Sequence, residues 1–274
     1  MITDTGTDTT ANPTYTLGPL LASGSCGRVY AGTRSTDSAT VIIKAIIKST
    51  DHIRNKIKRD SEIPKLISHQ SVVKILDVVE VGFETHIVYP HSSDNWCLAS
   101  IPSRQLKLKG QPQTVSYLTT IVLQLCTAVQ ALHTANIIHR DIKPRNIIIS
   151  EQSLFLIDFD LAHVEGNPTY PPLTGLVGTP NYLAPEVWLK QPNIDYKLTD
   201  IYALGVTIYY LFNRKHLPYD GRTIDVLEHQ VLNTQPRESK SGIKHIDALI
   251  MQTISRDPAS RPSLNQIRSQ LRES

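Results

Sequence analysis

Cysteine is scarce in this chain, with three in 274 residues, at Cys26, Cys97 and Cys126. The count is odd and there is no C-x-x-C pair, which argues against a zinc module and suits a reducing compartment. Ten histidines are scattered without an H-E-x-x-H motif or a His–Cys cluster, so no metal-ligand pattern emerges. No block of Lys or Arg dominates, and the net charge of +3 is too small to argue for nucleic acid or membrane as a partner. Long apolar runs are missing too. The longest, Ile201 to Phe212, is broken by Thr207 and is too short to span a bilayer. Met1 to Asn12 lacks the basic and apolar regions of a signal peptide. A soluble intracellular protein, cytoplasmic or nuclear, is the expectation.

What is present is a globular composition, 40% hydrophobic and 19% charged, long enough for a sizeable core. Residues 1–14 read as a flexible lead. From Tyr15 to Tyr89 the pattern favours strands. Val41-Ile42-Ile43 and Ala45-Ile46-Ile47 are β-branched runs around Lys44, and Val72 to Ile75 and Ile87 to Tyr89 are further candidates. One helix interrupts them, over about 51–68. Residues 91–113 are polar and irregular, with Pro102 and Pro112 as breakers. From Val115 to His133 the apolar positions Leu118, Ile121, Val122, Leu125, Val129 and Leu132 recur at helical spacing. Further helices are expected over 198–213, 222–233, 243–255 and 264–272. A strand-rich first third before a helix-rich remainder is an α+β arrangement. No internal repeat is visible.

Three motifs stand in order. His139-Arg140-Asp141-Ile142-Lys143-Pro144-Arg145-Asn146 fits H-R-D-x-K-x-x-N without a gap. Asp158-Phe159-Asp160 follows twelve residues after Asn146, where D-F-G is expected, and Ala184-Pro185-Glu186 ends twenty-eight residues after Asp158. Upstream, Leu21-Ala22-Ser23-Gly24-Ser25-Cys26-Gly27-Arg28-Val29 is close to G-x-G-x-x-G-x-V with its first glycine replaced by Ala22, and Lys44 lies seventeen residues beyond Gly27. On these residues the chain resembles the eukaryotic protein kinases, from about residue 15 to about 270.

The resemblance implies a two-lobed kinase domain over 15–272, with a strand-rich lobe to about residue 90 and a helical lobe after it. It implies transfer of the γ-phosphate of ATP to a protein, with Mg²⁺ as the metal. Asp141 becomes the base for the substrate hydroxyl, and Lys143 the lysine that serine/threonine kinases set against the γ-phosphate. Asn146 and Asp158 become the Mg²⁺ ligands. Lys44 takes the α- and β-phosphates and should pair with Glu62, with Asp60 and Glu84 less well spaced. The nucleotide site draws on Leu21, Ala22, Ser23, Gly24, Ser25, Cys26, Gly27, Val29, Lys44, Glu62 and Ile148. Ile42 and Tyr89 stand where the family lines the adenine pocket, and both are bulky.

By the same resemblance Thr179 contacts Asp141 and Lys143, Asp200 caps the catalytic loop, Glu186 pairs with Arg261, and His139 packs near Phe159. Gly175 occupies the usual phosphoacceptor position in the loop 161–183, and Thr174 is the nearest substitute. The segment Gly178 to Glu186 resembles polo-like and calmodulin-kinase-like members and, with Lys143, favours Ser/Thr as acceptor. A protein substrate is the expected partner, with room for an activating kinase or regulatory subunit. Ala22, Ile42 and Asp160 depart from the family pattern and support a rival reading, a kinase-fold scaffold with weak or no turnover. A small-molecule kinase is a weaker alternative. Asp160 removes the freedom of a glycine and leaves three roles open: metal binding, repulsion of phosphate or stiffening of the loop.

Overall fold

The computed structural model describes residues 14–24, 27–91, 96–106, 112–150 and 153–272. The lead 1–13, Ser25 and Cys26 lie outside the described residues. The chain divides into two compact units, one of residues 1–49 and 75–92, the other of 50–74 and 93–274.

The first unit is an antiparallel sheet of β1 (Tyr15–Gly24), β2 (Gly27–Arg34), β3 (Thr40–Ile47), β4 (Asp77–Val81) and β5 (Glu84–Pro90), in the order β1-β2-β3-β5-β4. Alternation along β3 sorts its side chains. Val41 and Ile43 pack with Val88 and Tyr15 in a small core, and Ile42 and Lys44 take the other face. The register sets Ala22 opposite Val29, Val29 opposite Lys44, and Lys44 opposite Ile87. Four strands therefore place Ala22, Val29, Lys44 and Ile87 in one row across the sheet. Ile42 lies opposite Tyr89 in a neighbouring row of that face. Gly27 closes the β1–β2 turn at φ +115°, and a Cβ there would lie 2.5 Å from the Ala45 carbonyl oxygen. Only glycine fits this approach.

The expected strand at Val72 to Ile75 does not form. Val72 makes an isolated bridge to Leu156, and the strand starts later, at Asp77. The helix after β3 is α1 (Asp51–Glu62), capped by Thr50, whose hydroxyl accepts the Ile53 N–H at 3.2 Å. It continues only as a 3₁₀ turn, Ile63–Leu66, and not as the helix to Ser68 that the sequence suggests. Pro64 ends the α-helical ladder because it lacks an N–H and clashes with the preceding turn. The first unit ends at residue 92, and α1 and the residues to Lys74 sort with the second unit.

The second unit is built on α2 (Pro112–Thr134) and α4 (Tyr196–Phe212), with α3 (Pro185–Trp188), α5 (Ile224–Asn233), α6 (Lys244–Thr253) and α7 (Leu264–Arg272). By length and composition α2 is apolar enough to cross a membrane, but its stripe of Leu118, Val122, Leu125, Val129 and Leu132 lies in the core of this unit. Nearly all of α4 is buried, as expected of a helix apolar all round. Short strands frame the loops: β6 (Trp96–Cys97), β7 (Ile137–Ile138), β8 (Ile147–Ile149), β9 (Leu154–Leu156) and β10 (His163–Val164). Arg261 donates two parallel bonds to Glu186, at 2.6 and 2.7 Å. Both side chains are buried, and this fork binds the start of α3 to the turn before α7.

In β10, paired with β7, His163 is buried with its ring edge toward Tyr196 at 5.1 Å. Burial, aided by the cationic Arg140, pushes its pKa from 6.5 down to about 4. The unfolded chain then binds a proton that the folded chain does not, over the window from 6.5 to about 4. This contribution to stability is present above the window and is lost as pH falls through it. Melting curves should therefore drop less for His163→Phe than for the wild type between about pH 7 and about pH 5. Parallel curves for the two proteins would count against this assignment.

Candidate active site

The loop 139–146 leaves β7 and enters β8, so buried strands fix both its ends. Its entry is shaped by Asp200 of α4. The His139 N–H donates to Asp200 Oδ2 at 3.0 Å and the Arg140 N–H to Oδ1 at 2.9 Å. His133 Nε2 lies 2.9 Å from Oδ2. Full burial opposes the Asp200 charge, yet His133 and the loop amides hold its pKa below the usual carboxylate range. Arg140 takes φ +65°, a conformation that costs roughly 1–2 kcal/mol in a side-chain-bearing residue. Its guanidinium lies over the Tyr196 ring at 4.7 Å and donates to the Leu173 carbonyl at 3.2 Å. His139 packs on Phe159 with ring centroids 4.8 Å apart. Its Nδ1 accepts the Asp141 N–H at 3.3 Å, which leaves Nε2–H to donate to the Ile157 carbonyl at 3.1 Å.

Asp141 is buried, and both its oxygens are engaged. Oδ1 accepts the Thr179 hydroxyl at 2.7 Å and the Thr179 N–H at 3.2 Å. Oδ2 accepts Lys143 Nζ at 2.6 Å and Asn146 Nδ2 at 3.0 Å. Lys143 Nζ also donates to Thr179 Oγ1 at 2.7 Å. A carboxylate, an ammonium and a hydroxyl thus meet around one point, where a second hydroxyl could be held and deprotonated. Asn146 Nδ2 gives a further bond to the Asp141 carbonyl at 3.0 Å, so its Oδ1 is the atom left to face a metal. The Ile157 N–H donates to the Asn146 carbonyl at 3.0 Å and brings Asp158 beside that loop, at φ +68°. Among the described residues no cluster of three His, Cys, Asp or Glu could cage a metal. One carboxylate and one amide oxygen suit Mg²⁺, which keeps waters and takes substrate phosphates as its other ligands. Ile148 lies half-buried in β8 between Cys97 and Phe155. Thr174 is exposed.

Glu62 is exposed and accepts a bond from the Tyr170 hydroxyl. That contact and burial push the Tyr170 pKa up to about 12, burial being the larger cause. Asp60 is the buried acid of α1, and its Oδ1 accepts the Phe159 N–H at 2.8 Å. Two helical residues make about 200° of turn, so positions 60 and 62 cannot face the same way. Glu84, the other candidate, pairs with Arg28 and His86 in the sheet. The remaining expected nucleotide residues lie in the first unit. Leu21 is exposed near the end of β1, Val29 and Lys44 share the row described above, and Ala22, Ser23 and Gly24 end the strand.

The caps on the loop are hydrogen bonds from main-chain amides to a charged, buried acceptor. Such bonds contribute about 1.5–3 kcal/mol each. Asp200→Asn keeps the shape but removes the charge. It should lower stability by about 1–3 kcal/mol in urea unfolding and speed hydrogen exchange at the His139 and Arg140 amides. Unchanged exchange at both amides would contradict the capping role.

The model of the protein kinase domain matches residues 15–271. The chain is 37% identical over 259 residues to the protein named serine/threonine-protein kinase R436 of Acanthamoeba polyphaga mimivirus, covering 94% of this chain and 93% of that one. It is 31% identical to the cell cycle serine/threonine-protein kinase CDC5/MSD2 of Saccharomyces cerevisiae, over 92% of this chain and 36% of the yeast protein. A third relative, the serine/threonine-protein kinase TIO of Arabidopsis thaliana, is 30% identical over 90% of this chain and 18% of its own length. The chain thus spans nearly all of the viral relative but well under half of the length of the other two. With the catalytic loop, its buried cap and the Glu186–Arg261 fork all in place, the chain belongs to the protein kinase family, of the serine/threonine-kinase type.

Proposed function

We propose that this chain transfers the γ-phosphate of ATP to serine or threonine hydroxyls of a protein, with Asp141 as the base. The observation that carries this reading is the Asp141 carboxylate, shared between Lys143, Asn146 and Thr179. Phosphoryl transfer asks for positioning and charge neutralisation more than for covalent chemistry. The incoming hydroxyl replaces or joins Thr179 at Asp141. Its oxygen attacks the γ-phosphorus, and its proton passes to the Asp141 carboxylate. The bond from the γ-phosphorus to the bridging oxygen of ADP breaks, and ADP leaves with that electron pair. Lys143, 2.6 Å from Asp141, offers its ammonium to the transferring phosphoryl group.

Asn146 and Asp158 are the residues proposed to hold Mg²⁺. When bound, the ion neutralises charge on the phosphate oxygens. Lys44 and the glycines Gly24 and Gly27 are proposed to hold the phosphates of ATP. The adjacency of Lys143 and Thr179 supports a Ser/Thr acceptor over tyrosine. The scaffold reading draws on Ala22, Ile42 and Asp160. It loses weight at Asp160, whose carboxylate lies 3.2 Å from the Lys56 ammonium and so has a local electrostatic reason to be there.

The test is ADP release from purified protein with ATP and Mg²⁺, with and without a generic basic protein as acceptor. Turnover should depend on the acceptor and fall by about 10²–10⁴-fold in Asp141→Asn, the usual range for loss of a positioned base. Equal rates in the two proteins would remove Asp141 from the chemistry. No acceptor-dependent turnover in either would favour the scaffold.

A further inference from the structure

A surface helix ordinarily turns an apolar stripe inward, and α1 does not. Its buried positions include Arg59, Asp60 and Ser61 beside Ile57. Lys56, Arg59 and Asp60 recur at i, i+3 and i+4, which places them on one face. Burying charge costs several kcal/mol unless it is paired, so this face must have partners, and all of those described lie in one stretch of chain. Asp60 accepts the Phe159 N–H at 2.8 Å. Lys56 Nζ lies 3.2 Å from Asp160 Oδ2, with the Asp160 side chain 7% exposed and that of Lys56 24%. Arg59 donates to the Ala162 carbonyl at 2.6 Å and to the Pro171 carbonyl at 2.8 Å. Glu62 accepts from the Tyr170 hydroxyl, and Lys58 Nζ lies 5.6 Å from the centre of that ring.

We propose that Lys56 and Asp160 form a charge latch that fixes the backbone beside Asp158, so that both act as positioning residues for the metal-binding carboxylate. Asp158 sits between two anchors. Before it, the Ile157 N–H is held by Asn146, and after it the Phe159 N–H is held by Asp60. The residue itself has φ +68°, a left-handed conformation that only its surroundings can maintain. Glycine at 160 would leave the following peptide free to take several conformations. Aspartate with a lysine partner on a neighbouring helix selects one. Of the three roles that the sequence leaves open for Asp160, this geometry favours stiffening. The guanidiniums of Arg59 and Arg140 add to it, since they rest on carbonyls at 162, 171 and 173 of the same segment.

This inference rests on the kinase reading for its effect on turnover, but not for its effect on structure, and two readouts separate them. In the first, hydrogen exchange of the amides from Phe159 to Val164 is measured in the wild type, Lys56→Met, Asp160→Asn and the double variant. The latch requires faster exchange in both single variants, with no further increase in the double. In the second, the Mg²⁺ concentration for half-maximal turnover and kcat are measured, along with KM for the acceptor. Each single loss should raise the Mg²⁺ requirement or lower kcat by about tenfold and leave the acceptor KM unchanged, and the double should match the singles. Lys56→Arg should retain wild-type behaviour, because it keeps the cation. Losses that multiply in the double variant, or exchange that matches the wild type in both singles, would overturn the latch. If the wild type has no turnover, the kinase reading fails, and the exchange data still decide whether the latch exists.

Discussion

One buried carboxylate sets the shape of the catalytic loop. Asp200 projects from the second turn of α4, a helix that is mostly buried, and receives two consecutive main-chain amides and a histidine ring. Those bonds stabilise Arg140 in a left-handed conformation that a free chain disfavours. The turn so made leads the chain out of β7 and places Asp141 against Lys143, Asn146 and Thr179. Because Asp200 is wholly buried, losing any of its donors would leave charge or polar groups unpaired in a dry interior. The loop geometry therefore depends on a residue that touches none of the reacting atoms.

A second layer of constraint comes from α1. Although it falls between β3 and β4 in sequence, its inward face is polar and is committed to the segment after Asp158. This explains why α1 sorts with the helical unit. It also gives Asp160 a physical reason to exist. In sequence it looks like damage to a glycine-dependent motif, but in the fold it is half of an ion pair.

Motifs whose chemistry is local in sequence could be read directly. The stretch from His139 to Asn146 is one continuous loop, and the fork between Glu186 and Arg261 joins two recognisable patterns. The long helices followed from apolar spacing, with α2 and α4 starting within three residues of where the pattern placed them. What could not be read depended on helical phase or on distant partners. Glu62 and Asp60 differ by two positions, and only the structure shows which one turns inward. Lys56 and Asp160 lie far apart in sequence, and nothing local in either neighbourhood announces the other. The two-residue strands β7 and β10 have too few side chains for any periodic signal, and Val72 to Ile75 has the composition of a strand but only one bridge to pair with.

The measurement that bears most directly on this account is identification of the labelled residue after incubation with ATP carrying a tagged γ-phosphate and a mixed protein acceptor. A site built on Asp141, Lys143 and Thr179 predicts phosphoserine and phosphothreonine on the acceptor, with the tag transferred intact. Label confined to tyrosine, or tagged phosphate released to water without labelling the acceptor, would contradict it.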